Sequence, residues 1–337
     1  MSEVRAQVVT LMRAPPVIST FAGCGGSSLG FRDAGFEELA AIEWDRNAAE
    51  CLALNFSKLK VMHGDIKQIT ARRLLTECGL ARGELDVLDG SPPCQGFSTS
   101  GSRDPGDLRN QLFREFARIL RGLAPKAFVM ENVSGMIKGP MKGIFVMIMR
   151  ELRACGYKVH AELMDAAHFG VPQRRLRVIY IGIREDMDIE PSHPIPTSRP
   201  VAVGEAIADF GDMQDADRLH VWIDESPSGR NTKTWSLAHR ARQGQKYAGQ
   251  HYRDRWDRPA GTMTTGGLAN MPPYLRSLNC HPLYTRTYSV AEMKRLFSFP
   301  DEFKFAGQWH MAVKRMGNSV PPKLMRAVAA HARKLIG

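Results

Sequence analysis

Three short stretches of this 337-residue chain carry side chains able to do chemistry. In the first, Asp86 to Ser100, an apolar run at Leu85–Leu88 gives way to Gly90-Ser91-Pro92-Pro93 and then to Cys94. Such a run reads as a buried strand, and the two prolines continue neither a ladder nor a helix. Cys94 is therefore expected just past a strand's carboxyl end, where open α/β sheets bind ligands, as a thiol nucleophile on a closing loop. The competing assignment is a small buried packing residue, the common fate of a free cysteine. A rigid, donor-poor turn is an odd place for one. In the second stretch, Ala127-Phe128-Val129-Met130 ends in Glu131-Asn132. Apolar crowding favours a neutral carboxyl group, which could then give up a proton near neutral pH; a solvated strand-end glutamate is the alternative. In the third, the alternation Arg175-Leu176-Arg177-Val178 puts both arginines on one side of a strand. There they would repel unless an anion, such as a phosphate, or a base carbonyl engaged them.

The elements that must position these groups alternate between strand and helix. Val17–Phe21, Leu39–Ile42, Val61–His63, Leu85–Leu88 and Ala127–Met130 read as strands, with two more starting near Gly156 and Arg175. Helices are predicted over Asn47–Phe56, Asn110–Leu123 and Ile144–Cys155, and a last one over Lys323–Leu335. Ser289 with Glu292 forms the signature of a capping box ahead of a further helix to Phe297. The pattern is that of an α/β protein with a Rossmann-like, mostly parallel sheet.

Cofactor chemistry is written at the ends of the first strands. Strand one runs into Gly23-Cys24-Gly25-Gly26, a glycine turn that brings backbone N–H groups to a ligand. Ser28 stands where a dinucleotide fingerprint has its third glycine, which disfavours a nicotinamide-dependent oxidoreductase. Glu43 at the tip of strand two is placed to accept ribose hydroxyls, and Trp44 to stack on an adenine. Near the chain's end, Asn318 and the backbone of Gly317-Asn318-Ser319-Val320-Pro321-Pro322, read as opening the last helix, are placed to bind a cofactor carboxylate.

Composition narrows the partners. A formal net charge of +11 favours a polyanion such as nucleic acid. The six cysteines include no C-x-x-C pair, which argues against a zinc site or disulfide framework and for a reducing cytoplasm. No secretion signal and no membrane-spanning run are read. Composition shifts after Glu185: Pro191, Pro194, Pro196 and Pro200 mark a linker into a polar segment where arginines interleave with aromatics and glycines. That segment suggests a small, loop-rich domain gripping a phosphate backbone and reading bases.

Taken together, F-x-G-x-G-G at Phe21–Gly26, Glu43-Trp44, Pro92-Pro93-Cys94-Gln95-Gly96-Phe97-Ser98, Glu131-Asn132-Val133, Gln173-x-Arg175-x-Arg177, Arg258-Pro259-x-x-Thr262 and Gly317-Asn318-Ser319-Val320-Pro321-Pro322 occur in one order. This series resembles that of the DNA cytosine-5 methyltransferases and spans about residues 17–335. The resemblance implies a class I S-adenosylmethionine methyltransferase sheet with a small target-recognition domain. It implies a leader (1–16), a catalytic and cofactor-binding domain (17–185), a linker and recognition domain (186–270) and a return to the catalytic domain (271–337). S-adenosyl-L-methionine would be the donor and S-adenosyl-L-homocysteine the product, with no metal. Phe21, Gly23, Gly25, Gly26, Glu43, Trp44, Asp65, Ile66, Pro93, Asn318 and Val320 would bind the cofactor, Asp65 reading the adenine amino group and Ile66 covering the ring. Ser19 stands where the family often has an acidic residue. Catalysis would fall to Cys94, Glu131, Arg175 and Arg177, with Glu131 on N3 of a flipped cytosine, Arg177 on its O2, and Arg175 on a phosphate or on Glu131. Gln95, Ser98, Ser100, Arg240, Arg242, Arg253, Arg255 and Arg258 would meet double-stranded DNA, Ser100 filling the gap left by the base. A monomer, paired with a companion restriction endonuclease or solitary, would follow. The alternatives are an RNA (tRNA) cytosine-5 methyltransferase of the same architecture and a non-catalytic DNA-binding relative.

Overall fold

The computed structural model describes residues 14–93, 112–137, 139, 142–211, 241–248, 251–263, 279–284 and 287–337. Its main sheet has seven strands: β1 (Pro16–Thr20), β2 (Glu37–Glu43), β3 (Lys60–His63), β4 (Val87–Gly90), β5 (Ala127–Val133), β6 (Tyr157–Asp165) and β7 (Leu176–Arg184). They lie in the order β3-β2-β1-β4-β5-β7-β6. The first five run parallel, and β7 lies antiparallel between β5 and β6. β2 and β4 leave β1 on opposite sides, so the strand order reverses there and a crevice opens beyond the carboxyl ends. Residues 166–175 join β6 to β7 with only a 3-10 turn at Ala166–Phe169, too little chain for a crossover helix, so these two strands pair antiparallel. In consequence β7 begins at the edge where β5 ends.

Alternation along the strands sends neighbouring residues to opposite cores. Ile18, Leu88, Phe128 and Tyr180 join one, with Phe113, Phe116, Ile119, Leu120 and Leu123 of helix α4 (Leu112–Leu123). Val17, Val87, Val129 and Ile181 join the other, with Phe31 of α1 (Gly26–Asp33) and Leu324, Met325 and Val328 of the last helix. The remaining helices among the described residues are α2 (Arg46–Asn55), α3 (Ala71–Cys78), α5 (Lys142–Arg153), α6 (Val203–Ile207), α7 (Val290–Leu296), α8 (Trp309–Asn318) and α9 (Pro322–Ile336). α1 and α9 touch closely because Gly30 offers no side chain: a Cβ there would lie 2.6 Å from that of Met325 and 2.7 Å from the Arg326 amide nitrogen. The C-terminal helix is thus laid against the helix that follows β1.

The capping box reads true. The Glu292 amide donates to Ser289 Oγ at 3.1 Å and the Ser289 amide to the Glu292 carboxylate at 2.7 Å. The start of the last helix needs correction. Gly317 and Asn318 close α8, and α9 opens at Pro322, where a proline loses no helical hydrogen bond. Among the described residues no helix is long and apolar enough to cross a membrane.

Candidate active site at the sheet edge

The carboxyl ends of the parallel strands and the start of β7 bring the sequence-predicted groups to one edge. After β1 the backbone turns through Phe21, Gly23 and Gly25, all with left-handed φ (54°, 59° and 100°). Glycine takes such angles freely; a phenylalanine there is strained. A Cβ on Gly25 would fall 2.7 Å from the Phe56 ring, and one on Gly26 would fall 2.0 Å from Ser319 Oγ and 2.2 Å from the Val320 carbonyl. The turn is therefore clamped between α2 and the Ser319-Val320 segment. Val320 meets it through its backbone, its side chain being buried against α9. Asn318 is exposed at the end of α8.

Glu43 accepts the Gly23 amide at 2.7 Å and the Asp45 amide at 2.8 Å, which ties the tip of β2 to the glycine turn. Its burial raises its pKa, against the pull of those two N–H donors. Trp44 beside it is 77% exposed, an indole face left bare at the mouth of the site. Asp45 caps α2 and pairs with Arg315 at 2.6 Å. Burial pushes its carboxyl up, but Arg315 prevails and holds it below the usual range. Asp65 spends Oδ1 on the Lys67 amide at 3.0 Å, and Ile66 is buried in the core.

A group of buried polar atoms lies under the turn. The parallel register sets Ser19 of β1 beside Asp89 of β4, and Glu38 of β2 lies across β1 from it. Ser28 Oγ donates to Glu38 Oε1 at 3.1 Å. Ser19 Oγ, Glu38 Oε2 and Asp89 Oδ1 are enclosed with no hydrogen-bond partner among the described residues. Burial lifts the Asp89 carboxyl well above its usual range and that of Glu38 from 4.5 to about 7. A raised folded-state pKa means the folded chain holds the proton more tightly than the unfolded one. Glu38's contribution to stability is then complete below about pH 4.5 and is lost as pH rises through about 7. Urea unfolding of the ligand-free chain is expected to show a lower midpoint at pH 8 than at pH 6. Glu38→Gln should flatten that slope and raise stability at pH 8 by on the order of 2 kcal/mol; an unchanged slope would place the titrating group elsewhere.

Glu131, in the last turn of the β5 ladder, is 8% exposed. The register pairs Glu131 with Ile179 and Val133 with Arg177, which makes Glu131 and Arg177 diagonal neighbours. Arg177 Nε lies 2.7 Å from Glu131 Oε1, and its Nη1 donates to the Leu176 carbonyl at 2.8 Å. Its Nη2 has no partner among the described residues. The apolar crowding expected around Glu131 is replaced by this ion pair. Asn132 Nδ2 donates to the Pro92 carbonyl at 3.2 Å, fixing the exit of β4 against the exit of β5. Pro93 is half-buried, and Cys94, Gln95, Ser98 and Ser100 lie outside the described residues.

Arg175 does not take the role expected for it. It is 1% exposed and donates through Nη1 to the Met263 carbonyl at 3.0 Å and through Nη2 to the Gly317 and Ser319 carbonyls at 2.8 Å. A guanidinium enclosed in this way, with both terminal nitrogens spent on backbone carbonyls and Nε buried without a partner among the described residues, is closed to a phosphate and makes no hydrogen bond to Glu131; it brackets the start of β7 to the return segment. Arg253 is corrected for the same reason. It is 7% exposed, and Nη1 donates to the carbonyls of His281 and Tyr284 at 3.0 Å, so it organises a loop and is withheld from DNA. Arg242, Arg255 and Arg258 are exposed, Arg255 in a two-pronged pair with Asp257, while Arg240 lies outside the described residues. Sequence reasoning missed Asn132, Arg315 and Asp89. Asn132 was legible as the polar residue following Glu131; the other two act through partners far away in the chain.

Comparisons with known proteins bear on the family and the fold. A family model described as C-5 cytosine-specific DNA methylase matches residues 16–334. The chain is 32% identical to the type II methyltransferase M.Sau96I of Staphylococcus aureus, over 93% of this chain and 74% of that protein. It is 33% identical to the type II methyltransferase M.NgoPII of Neisseria gonorrhoeae, over 95% and 96% of the two. Among solved structures, a DNA modification methyltransferase encoded within an E. coli prophage superposes with a TM-score of 0.77 at 24% identity, covering 96% of this chain and 99% of that one. The S. pombe Dnmt2 methyltransferase superposes with a TM-score of 0.65 at 17% identity, over 96% and 98%, a likeness of fold.

Proposed function

Because the chain belongs to the C-5 cytosine-specific DNA methylase family, we propose that its sheet edge methylates one cytosine of a short duplex recognition site, with Cys94 as nucleophile. The observation that supports this most is the buried Glu131–Arg177 pair, at 2.7 Å, at the edge that also carries the glycine turn and Glu43. S-adenosyl-L-methionine, when bound, supplies the methyl group. The residues present fit it. The strained turn at Phe21–Gly26 gives backbone N–H groups, Glu43 a carboxylate for ribose hydroxyls, and Trp44 a bare indole for adenine. Asp65 keeps one oxygen for the adenine amino group, and Pro93 and Val320 border the site. Asp89, beside Ser19, holds an unpartnered oxygen suited to a cationic amino group.

The protein's own groups account for the activation of cytosine. C5 is a weak nucleophile until a thiolate adds to C6, forming an S–C6 bond and turning the ring into an enamine. Glu131, in its protonated form, gives its proton to N3 as that bond forms and is left as the carboxylate paired with Arg177, so the ring does not carry the charge. Arg177, with Nη2 directed to no protein group among the described residues, holds O2 while Nε keeps Glu131 in place. Loss of the C5 proton to a base then expels Cys94 by β-elimination. None of this is possible within a stacked duplex, so the base is extruded. Arg242 and Arg258 are left for the phosphate backbone. The relatives that are named type II methyltransferases point to a companion endonuclease of the same specificity.

The test is to incubate the chain with S-adenosyl-L-methionine and mixed-sequence duplex DNA, then map cytosines by bisulfite sequencing, with tRNA in parallel. Protection confined to one short DNA motif is expected. Methylation of tRNA with none on DNA would overturn the substrate assignment.

A further inference from the structure

Far from the glycine turn, the outer strand β6 carries a group of potential metal ligands that methyl transfer does not use. His160 and Glu162 are two residues apart on that strand, so both leave its exposed face. The linker after β7 runs along this face. Lys158 is engaged by Asp188 at 3.0 Å and by Glu190 at 2.7 Å, and His193 arrives next to His160 and Glu162. His193 Nε2 lies 2.9 Å from the Ile179 carbonyl, which only accepts, so that nitrogen carries the ring proton. In the neutral ring Nδ1 then presents its lone pair outward, the way a backbone carbonyl fixes the tautomer of a metal-bound histidine.

His193 Nδ1 lies 2.9 Å from His160 Nδ1 and 3.8 Å from Glu162 Oε2, and one ligand atom from each residue falls within 4.8 Å of the others. Two nitrogens at that separation, each about 2.1 Å from a common ion, subtend about 90° there; a tetrahedral ion would need them about 0.5 Å further apart. We propose that His160, Glu162 and His193 bind one divalent transition-metal ion, with water completing its shell. Two imidazoles and a carboxylate select nickel, copper or zinc over magnesium or calcium. The neighbouring positive charge, Lys158, is offset by Asp188 and Glu190, and His331 of α9 faces Ser192, with Nε2 2.9 Å from its Oγ. The bound ion would staple the proline-rich linker to the edge of the sheet, just ahead of the recognition segment.

The test uses the full chain, purified without a histidine tag, stripped with a chelator and titrated with nickel chloride in a calorimeter. One ion per chain is expected, with a higher melting temperature and slower proteolysis within residues 185–200. His160→Gln changes an exposed position and leaves the His193–Ile179 hydrogen bond intact; it should weaken binding about tenfold or more. Glu162→Gln should weaken it less. Absence of saturable binding to the wild-type chain would sink the proposal and leave a histidine–histidine hydrogen bond as the whole contact. Binding unchanged in both His160→Gln and His193→Gln would sink it equally, by assigning the ion to other groups.

Discussion

Replacing Cys94 with alanine is expected to reduce methyl transfer to background while duplex DNA and cofactor still bind. The structure argues for this sulfur by elimination. Cys24, within the glycine turn itself, is 2% exposed, and burial pushes its thiol up to about 12. Burial likewise raises the thiols of Cys51, Cys78 and Cys155. Cys280 is fully buried, its Sγ directed at the carbonyls of His281 and Tyr284. Cys24, Cys51 and Cys280 are enclosed, and the half-buried Cys78 and Cys155, which end α3 and follow α5, lie at the amino-terminal edge of the sheet, opposite the glycine turn and Glu131, so Cys94 is the cysteine left for this role. Asn132, bonded to the Pro92 carbonyl two residues earlier, anchors the entrance to its segment beside Glu131. DNA carrying 5-fluorocytosine separates a nucleophile from a merely structural cysteine, since fluorine blocks the proton loss that would release the enzyme. Wild type should form a denaturation-resistant adduct with it, and Cys94→Ala should form none. An adduct that persists in the variant would move the nucleophile to another side chain.

Most of the sheet and much of the site were legible because they rest on local signals. Apolar runs closed by glycine, proline or acid located β1 to β5 to within a few residues, and their common direction put Glu43, Asp65, Pro93 and Glu131 at one edge. Helix α3 escaped because its sequence, Ala-Arg-Arg-Leu-Leu-Thr-Glu-Cys, buries only Leu74 and presents too narrow an apolar stripe to read. Helix α8 escaped because Gly317-Asn318 was read as the start of the next helix, whereas these residues end it. Arg175 shows the limit best. Spacing along a strand says which side a guanidinium leaves, but not whether carbonyls from Met263, Gly317 and Ser319, as much as 144 residues away, will surround it there. The same holds for Asp89: nothing near it in sequence announces that Glu38 and Ser19 share its enclosure. Charge type was readable; long-range pairing was not.

Glu131→Gln distinguishes what that long-range pairing does. Glutamine keeps the shape and a carbonyl for Arg177, but it can neither carry nor deliver the N3 proton. If proton delivery is the role, the turnover rate should fall by about 10²–10⁴-fold, with little change in the Michaelis constant for the methyl donor. The 5-fluorocytosine adduct should form correspondingly slowly, since addition of Cys94 to C6 is the step that N3 protonation assists. If Glu131 serves only to neutralise Arg177, the loss should appear instead in stability. Removing one partner of a buried pair leaves an uncompensated charge and costs about 3–5 kcal/mol, less where a glutamine carbonyl still accepts. Arg177→Met combined with Glu131→Gln removes both charges and should recover that stability without recovering turnover. Full activity in Glu131→Gln would refute the proton-delivery role outright. Recovery of activity in the double variant would show instead that the arrangement at 2.7 Å is only a structural pair. The expected separation, stability restored and chemistry still absent, is the signature of a carboxyl group held by an arginine in order to hand a proton to the base.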